Sequence, residues 1–257
     1  MKIYTAPLHI SQVVASFPVV DNVTSIRNVG GHAGPNSYGL QLNTVVFDTN
    51  ACGHPCRGWV QFIFSNYGPG KTSHLGIQNW LFRAGNSCPN RSWHWSRGGT
   101  GLGTCVQNHR AADVPNIPIG ELRTMSMVAV ASADGDSLYL HVGSRTYGGR
   151  TQDDTLTDLS QHWQVAEFDI FGDCCSSQTF FNPGATVTIS LQANTGQKTA
   201  PVCRHGDSTT AESNNLSFVA PPTVSPQQYP SVVFSESNVA GGDAASGQTL
   251  CNALPSQ

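Results

Sequence analysis

The chain has 257 residues, with 39% hydrophobic and 11% charged residues, 26 Gly, 15 Pro and 8 Cys. No apolar run reaches the roughly 18 residues that a transmembrane helix requires, so the sequence argues against a membrane protein. The 13 Lys and Arg are outnumbered by 16 Asp and Glu, and a net charge of −3 argues against nucleic acid as the main partner.

Alternation of apolar and polar residues with a period of two dominates the chain, and helical periodicity is nearly absent. One helical turn is expected at 157–161. Many strands separated by loops rich in Gly, Pro and Asn predict an all-β protein: two packed antiparallel sheets in a concanavalin-like sandwich or jelly roll. The strands are predicted, in chain order, at 38–47, 59–66, 73–82, 125–133, 137–142, 162–171, 185–193, 214–219 and 230–236.

The two ends of the chain differ in composition from the middle. Residues 1–36 show little periodicity, and we expect them to form an N-terminal extension packed on the body. Residues 37–219 are predicted to form the β-sandwich domain. Residues 220–257 are rich in Pro, Gly and Ser, and we expect Cys251 to tie this segment to the body. These boundaries describe one domain, which we expect to be a monomer.

The cysteine content is high for a reducing compartment and predicts a secreted protein with disulfide bonds. Two bonds are expected to be local, Cys52 with Cys56 and Cys88 with Cys105. The adjacent Cys174 and Cys175 would be strained if bonded to each other, so each is expected to pair with Cys203, Cys251 or another cysteine. A zinc site at Cys52, His54 and Cys56 is the weaker alternative, because no further ligand pair completes a tetrahedral set.

Two further features of the sequence bear on secretion: its first residues and its N-glycosylation triplets. The first residues do not form a signal peptide, and we expect that a targeting segment has been removed. Three triplets, which begin at Asn22, Asn90 and Asn215, fit the N-glycosylation pattern. In a chain so rich in Asn, Ser and Thr such matches also arise by chance, so they do not decide between a bacterial and a eukaryotic source.

Alternation also shows which side chains lie on the face of a sheet that is turned away from the core. In three predicted strands this face carries large aromatics, amides and carboxylates, which is unlike an ordinary solvated surface. It predicts a groove that binds a ligand; the alternative is a long loop that covers these side chains and hydrogen-bonds to them. The set is Trp59, Gln61, Ile63, His74, Gln78, Trp80, Phe82, Trp163, Val165, Glu167, Asp169 and Phe171.

This groove contains the parts of a hydrolytic site. Glu167 and Asp169 are two residues apart on one predicted strand, so their side chains lie on the same face. A carboxylate that is close to another one, or surrounded by aromatic rings, can act as a general base in acid. The neutral amide of Gln78 can donate a hydrogen bond to a developing oxyanion at any pH. Together they could activate water for attack on an amide carbonyl without a metal, a cofactor or a covalent nucleophile.

At these residues the chain resembles the glutamic peptidases (eqolisins), acid-acting endopeptidases that have a β-sandwich fold and a Gln–Glu catalytic dyad. Trp59-Val60 is similar to the family's tryptophan strand, and Leu75-Gly76-Ile77-Gln78 to the strand of its catalytic glutamine. Ala166-Glu167-Phe168 is similar to the Ala-Glu-Trp segment of its catalytic glutamate. The hairpin at 127–142 falls between them, in the family's order, and the resemblance covers roughly residues 55–195.

The resemblance implies a role for each matching residue. Glu167 would be the general base that activates water and then the acid that protonates the leaving amine. Gln78 would position that water and stabilise the oxyanion, and Trp59 would line the cleft. The substrate would be a polypeptide, bound by Trp59, Gln61, Trp80, Trp95 and Asp169.

The chain also departs from the family's pattern. Asn79-Trp80 follow the glutamine where small residues are expected, and Phe168 replaces a tryptophan. Cys174-Cys175 is unfamiliar too. The segment Trp93-His94-Trp95 is only loosely similar to the aromatic hairpin that covers the family's cleft.

The leading hypothesis is therefore a secreted, acid-acting endopeptidase with a Gln78–Glu167 dyad. A second hypothesis is a carbohydrate-binding jelly roll in which tryptophans stack on sugar rings and amides bind hydroxyls. A glycosidase that uses paired acids in the same groove is a third, and a secreted structural protein without a catalytic site is the last. The peptidase hypothesis requires Gln78 and Glu167 on one face of a sheet, close enough to share a water.

Overall fold

The computed structural model describes residues 1–30, 34–96, 103–150, 158–172, 177–205, 214–225, 229–239 and 251. Within these ranges the protein is nearly all β, and two antiparallel sheets pack against each other as a sandwich, which confirms the predicted fold class.

Nine strands in the described residues form the larger sheet. Every pairing in it is antiparallel. In spatial order these strands are β17 (Val202–Arg204), β1 (Lys2–Tyr4), β14 (Val165–Phe171), β5 (Ser37–Thr44), β7 (Cys56–Tyr67), β8 (Ser73–Phe82), β10 (Thr104–Val114) and β9 (His94–Ser96), with β6 (Phe47–Thr49) beside β7.

The smaller sheet has eight strands in the described residues, and a third sheet of three short strands packs against β5 and β14. The helical segments in the described part of the chain are a 3-10 helix at Ile119–Thr124 and a one-turn α-helix at Leu159–His162. The smaller sheet runs β13 (Arg145–Arg150), β12 (Ser137–Val142), β11 (Met125–Val130), β2 (Gln12–Asp21), β16 (Thr186–Asn194), β20 (Ser231–Ser237) and β18 (Ser217–Phe218), with β19 (Thr223–Ser225) beside β20; the third sheet is β15 (Gln178–Phe181), β3 (Ile26–Val29) and β4 (Gly34–Pro35).

The core lies between the two large sheets and is filled by the apolar side chains that alternation assigns to it. Phe17 of the smaller sheet meets Phe168 of the larger one edge to face, with ring centroids 5.8 Å apart. The inward residues of β7, β8, β14 and β16 are all buried: Val60, Phe62, Phe64, Leu75, Ile77, Leu81, Ala166, Phe168, Ile170, Val187, Ile189 and Leu191. The period-two assignment of faces is therefore confirmed for these four strands.

The ends of the chain are part of the sandwich and not, as predicted for residues 1–36, an extension packed on it. Strand β1 lies inside the larger sheet, and β2 lies between β11 and β16 in the smaller one. Alternation in β2 was obscured because Val14 and Pro18 lie on the face opposite the buried Val13, Ala15 and Phe17. At the other end, β20 pairs with β16 along seven residues.

The hairpin and the two local disulfide bonds follow the sequence predictions, but the pairing of Cys203 differs. Strands β11 and β12 pair around the turn at Asp134, Gly135 and Asp136. The predicted bonds Cys52–Cys56 and Cys88–Cys105 are present, and Cys203 is bonded to Cys251, which ties the C-terminal segment to the edge of the larger sheet. Cys203 and Cys251 are therefore not the partners of Cys174 and Cys175 that the sequence predicted, and Cys174 and Cys175 themselves lie outside the described residues.

Gly148 on the edge strand β13 lies in a closely packed part of the sandwich, and its substitution tests that packing. Its φ is +102°, and a Cβ there would collide with the carbonyl oxygen of Leu138 and lie 2.8 Å from Cδ2 of Leu75. Gly148→Ala is expected to lower the free energy of unfolding by about 2–3 kcal/mol, because both backbone strain and overpacking act at this position. A Cβ on the adjacent Gly149 would meet no atom within 4 Å, so Gly149→Ala is the matched control. Urea unfolding should separate the two variants, and equal stabilities would contradict the prediction.

Candidate active site

The candidate site lies on the face of the larger sheet that is turned away from the core, which we call the outer face. The strand register aligns Glu167 with Asn43, Asn43 with Gln61, and Gln61 with Gln78. Residues directly opposite each other on antiparallel strands point to the same face, so all four side chains share the outer face. Lys2 and Asn108 extend this line, which we call the polar row: Lys2, Glu167, Asn43, Gln61, Gln78 and Asn108.

The two predicted catalytic residues thus occupy one row, but they are not on neighbouring strands. Strands β5 and β7 lie between Glu167 on β14 and Gln78 on β8. Three inter-strand steps place their Cα atoms about 14 Å apart in an untwisted sheet. Asn43 and Gln61 of the intervening strands fill the gap, and Nε2 of Gln78 is turned toward Asn108, on the side away from Glu167. As they lie, the two side chains therefore do not meet the requirement that they share a water.

Hydrogen bonds fix the orientation of the amide of Gln78. The Nε1 atom of Trp80 donates to Oε1 of Gln78 at 2.8 Å, and Nε2 of Gln78 donates to Oδ1 of Asn108 at 2.6 Å. An indole nitrogen can only donate, so the Gln78 atom that faces Trp80 has to be the oxygen. The amide nitrogen then points toward Asn108, and only one of its two hydrogens is used by that bond.

The same indole also orients the amides toward the centre of the sheet. The Nε1 atom of Trp80 lies 3.0 Å from Oε1 of Gln61, and Nε2 of Gln61 donates to Oε1 of Gln41 at 2.8 Å. That oxygen also accepts a bond from Nδ2 of Asn43 at 3.2 Å. A continuous chain of hydrogen bonds therefore runs from Asn43, the neighbour of Glu167, through Trp80 to Gln78.

Two carboxylates lie at the other end of the polar row. Glu167 and Asp169 are both 0% exposed and point to the same face of β14. Lys2, which is 5% exposed, lies directly opposite Glu167 on β1, and the amino nitrogen of Met1 lies 3.7 Å from Oδ1 of Asp169. Buried carboxylates need hydrogen bonds or opposite charges, and these positive groups supply the charge.

Aromatic side chains border Gln78 on one side. Trp59, Trp80 and Phe82 are partly exposed on the outer face, and the rings of Trp80 and Phe82 stack with centroids 6.1 Å apart. The ring centroids of Trp59 and Trp80 are 6.1 Å apart, and Nε1 of Trp59 donates to the carbonyl oxygen of Thr44 at 2.9 Å. We call Trp59, Trp80 and Phe82 the aromatic cluster.

A pocket of about 310 Å³ borders Gln78 on the other side. Its lining includes Ile63, Tyr67, His74 and Gly76, together with the exposed Arg110. Arg110 forms an ion pair with Asp113, whose Oδ1 lies 3.2 Å from Nδ1 of His74. The outer face near Gln78 thus offers an aromatic surface, a neutral amide and a pocket that includes the charged Arg110 in succession along the strands.

The structure does not bring every predicted residue to this site. Trp95 pairs with Cys105 in the register of β9 and β10, so it lies on the sheet face opposite Gln78, where it is 48% exposed. Trp163 precedes β14 and is not on the outer face. It is 1% exposed in the core, and its ring stacks on Phe62 at 5.5 Å, because the strand begins only at Val165.

Sequence reasoning missed five polar residues of the site: Lys2, Gln41, Asn43, Asn108 and Arg110. Gln41 and Asn43 alternate with the buried Leu40 and Leu42 in a strand that was predicted, so alternation could have found them. Asn108 and Arg110 belong to β10, which was not predicted. Polar residues occur on both faces of that strand, and the periodic signal is therefore weak.

The alternative zinc site is not supported by the local geometry. Cys52 and Cys56 are bonded to each other, and Nε2 of His54 lies 3.1 Å from the carbonyl oxygen of Arg83. Within the described ranges no cluster of three or more His, Cys, Asp or Glu side chains could hold a metal ion.

Comparisons with models of known protein families and with curated proteins give no match for this chain. The geometry of the site is therefore the basis for its proposed function.

No helix in the part of the chain that the structure describes is long and apolar enough to cross a membrane. The three disulfide bonds among the described residues indicate an oxidising, non-cytoplasmic environment.

Proposed function

We propose that this protein is a secreted endopeptidase that works in acid and uses Glu167 and Gln78 as its catalytic pair. The observation that carries the proposal is the polar row, in which a carboxylate and an amide share one sheet face and a chain of oriented hydrogen bonds runs from Asn43, the neighbour of the carboxylate, to the amide. Oriented dipoles that need no rearrangement during the reaction are the main source of transition-state stabilisation in many enzymes.

The proposed reaction is a direct attack of water on the peptide carbonyl. The carboxylate of Glu167 accepts a proton from the water as its oxygen bonds to the carbonyl carbon. The carbonyl oxygen becomes an oxyanion, which accepts a hydrogen bond from the second Nε2 hydrogen of Gln78. Protonated Glu167 then donates its proton to the amide nitrogen, the C–N bond breaks, and an amine and a carboxylic acid leave.

The substrate is proposed to be an extended polypeptide. A chain that runs parallel to β7 and β8 would pass the aromatic cluster, Gln78 and then the pocket at Gly76 in succession. Trp59 and Trp80, which are partly exposed, remain our proposed contacts to it. Gln61 is 5% exposed and Asp169 is 0% exposed, so these two predicted contacts support the polar row from within. Because Glu167 is 0% exposed and lies three inter-strand steps from Gln78, the reaction also requires that substrate binding or acid uncover Glu167 and bring both side chains to the same carbonyl group.

The proposal is tested by proteolysis of a denatured protein between about pH 2 and 7, with Glu167→Gln as the inactivated variant. Glu121 is an exposed glutamate on the 3-10 helix, so Glu121→Gln is a matched control that should keep full activity. Activity in acid that only Glu167→Gln loses would support the proposal. Folded wild-type protein that cleaves no peptide across this range would overturn it.

Trp80→Phe tests the role of the indole as the group that orients the amides. The substitution keeps an aromatic ring but removes the donor that lies 2.8 Å from Gln78 and 3.0 Å from Gln61. We expect kcat to fall about tenfold with a smaller change in KM, because Gln78 can then rotate away from the productive orientation. Trp59→Phe is the control for kcat, since its indole donates to the backbone of Thr44 and not to an amide of the row. A change in KM alone for Trp80→Phe would leave Trp80 as a substrate contact without an orienting role.

Glycan binding is the second candidate, and one observation favours it. The stacked rings of Trp80 and Phe82 are partly exposed beside the amides of Gln78 and Asn108, a combination that suits sugar rings and their hydroxyls. A glycosidase is less favoured, because Glu167 and Asp169 are neighbours on one strand and do not face each other across a cleft. Binding to a glycan array without any proteolysis would select this second candidate.

A further inference from the structure

The three N-glycosylation triplets have different surroundings in the folded protein. Asn90 is exposed in a loop that precedes β9, Asn22 is exposed at the end of β2, and Asn215 is half-buried beside β15. The sequence pattern treats the three alike, so any distinction between them has to come from their contacts.

The side-chain amide of Asn215 forms hydrogen bonds with the backbone of a neighbouring strand. Its Oδ1 accepts a hydrogen bond from the amide nitrogen of Phe181 at 2.8 Å, and its Nδ2 donates to the carbonyl oxygen of Phe181 at 3.0 Å. A glycan on Nδ2 would take the place of one of these bonds and occupy the space next to β15. Modification of Asn215 therefore breaks a contact that holds β15 in the native fold.

Asn90 has the opposite arrangement. Its Oδ1 accepts hydrogen bonds from the backbone nitrogen of Ser92 at 2.9 Å and from the Ser92 hydroxyl at 2.6 Å. Among the described residues its Nδ2 makes no hydrogen bond, so the reactive nitrogen is open while the third residue of the triplet holds the oxygen. Gln107, which donates to the Ser92 hydroxyl at 2.6 Å, is on the sheet face opposite Gln78.

We propose that Asn90 is an N-glycan acceptor and that Asn215 is not, when the chain passes through a eukaryotic secretory pathway. The donor is a lipid-linked oligosaccharide diphosphate. Its anomeric carbon forms a bond to Nδ2 of Asn90, the bond from that carbon to the diphosphate oxygen breaks with its electron pair, and Nδ2 loses one proton. The glycan then projects from the sheet face opposite the polar row, so it leaves the candidate active site uncovered.

Asn22 is intermediate between the two. Its Nδ2 lies 3.4 Å from the carbonyl oxygen of Pro183, and it would be 2.9 Å from a Cβ on Gly184. A glycan there displaces one long hydrogen bond but no strand contact. We expect its occupancy to lie between those of Asn90 and Asn215.

The test is glycopeptide mass spectrometry of the full chain secreted from a eukaryotic host. Asn90 should be occupied in most molecules and Asn215 in none of the folded protein. Asn90→Gln and Ser92→Ala should each remove the same single glycan, which separates loss of the acceptor from a folding effect, while Ser217→Ala should leave the glycan pattern unchanged. Unmodified Asn90 in secreted wild-type protein, or a glycan on Asn215 in folded protein, would overturn the proposal. This result is independent of proteolysis, so it stands apart from the proposed function.

Discussion

Glu167→Gln is expected to lower kcat/KM for acid proteolysis by about 10²–10⁴-fold, the range that a positioned general base contributes. The substitution preserves the shape of the side chain, so packing around this fully buried position is kept. A neutral amide cannot accept the proton of the attacking water, and the later protonation of the leaving amine fails as well. Both proton transfers of the proposed reaction therefore depend on the carboxylate of Glu167.

The measurement compares initial rates of cleavage for wild type, Glu167→Gln and Glu121→Gln on one denatured substrate. Thermal unfolding of each variant checks that the fold survives, because Lys2 on β1 loses its charged neighbour when Glu167 becomes neutral. A folded Glu167→Gln protein with wild-type rates would show that Glu167 is not the base. A shift in rate for Glu121→Gln of the same size would point to a general charge effect.

Sequence alternation correctly assigned the faces of the site strands because each strand has one face in a dry core. Phe62 and Leu75 are buried, and Gln61 and Gln78 consequently point outward. The same rule failed at Trp163, where apolar and polar residues continue to alternate although the strand has not yet begun. The one-turn helix Leu159–His162 ends just before Trp163, and the indole of Trp163 lies in the core against Phe62.

The connectivity of the polar row could not be predicted, because it depends on which strands become neighbours. Strand β5 lies between β14 and β7, although more than a hundred residues separate it from β14 in the chain. Asn43 therefore lies between Glu167 and Gln61, and no local pattern indicates that pairing. The orientation of the amides likewise depends on Trp80, whose donor-only nitrogen has a partner on its own strand and one on the next.

Gln78→Ala is expected to reduce kcat by about 10²–10³-fold, the usual effect of removing one oxyanion donor. The fold should survive, because the indole of Trp80 keeps its bond to Gln61, and Asn108 is exposed to water. The change removes a contact that strengthens only when the carbonyl oxygen becomes charged, so KM should move much less than kcat.

Two further variants sharpen the interpretation of Gln78→Ala. Gln161 is an exposed glutamine beside the short helix, and Gln161→Ala should leave the kinetics unchanged. Gln78→Glu replaces the amide donor with a carboxyl group, which only accepts hydrogen bonds when it is ionised. The amide of Asn108 can rotate and donate a hydrogen bond to this carboxylate. Its activity should therefore fall at the upper end of the acid range and recover partly where the new carboxyl is protonated and can donate. If Gln78→Ala and Gln78→Glu both retained wild-type kcat at every pH, the amide would have no part in the reaction, and the polar row would be better explained as the floor of a glycan-binding surface.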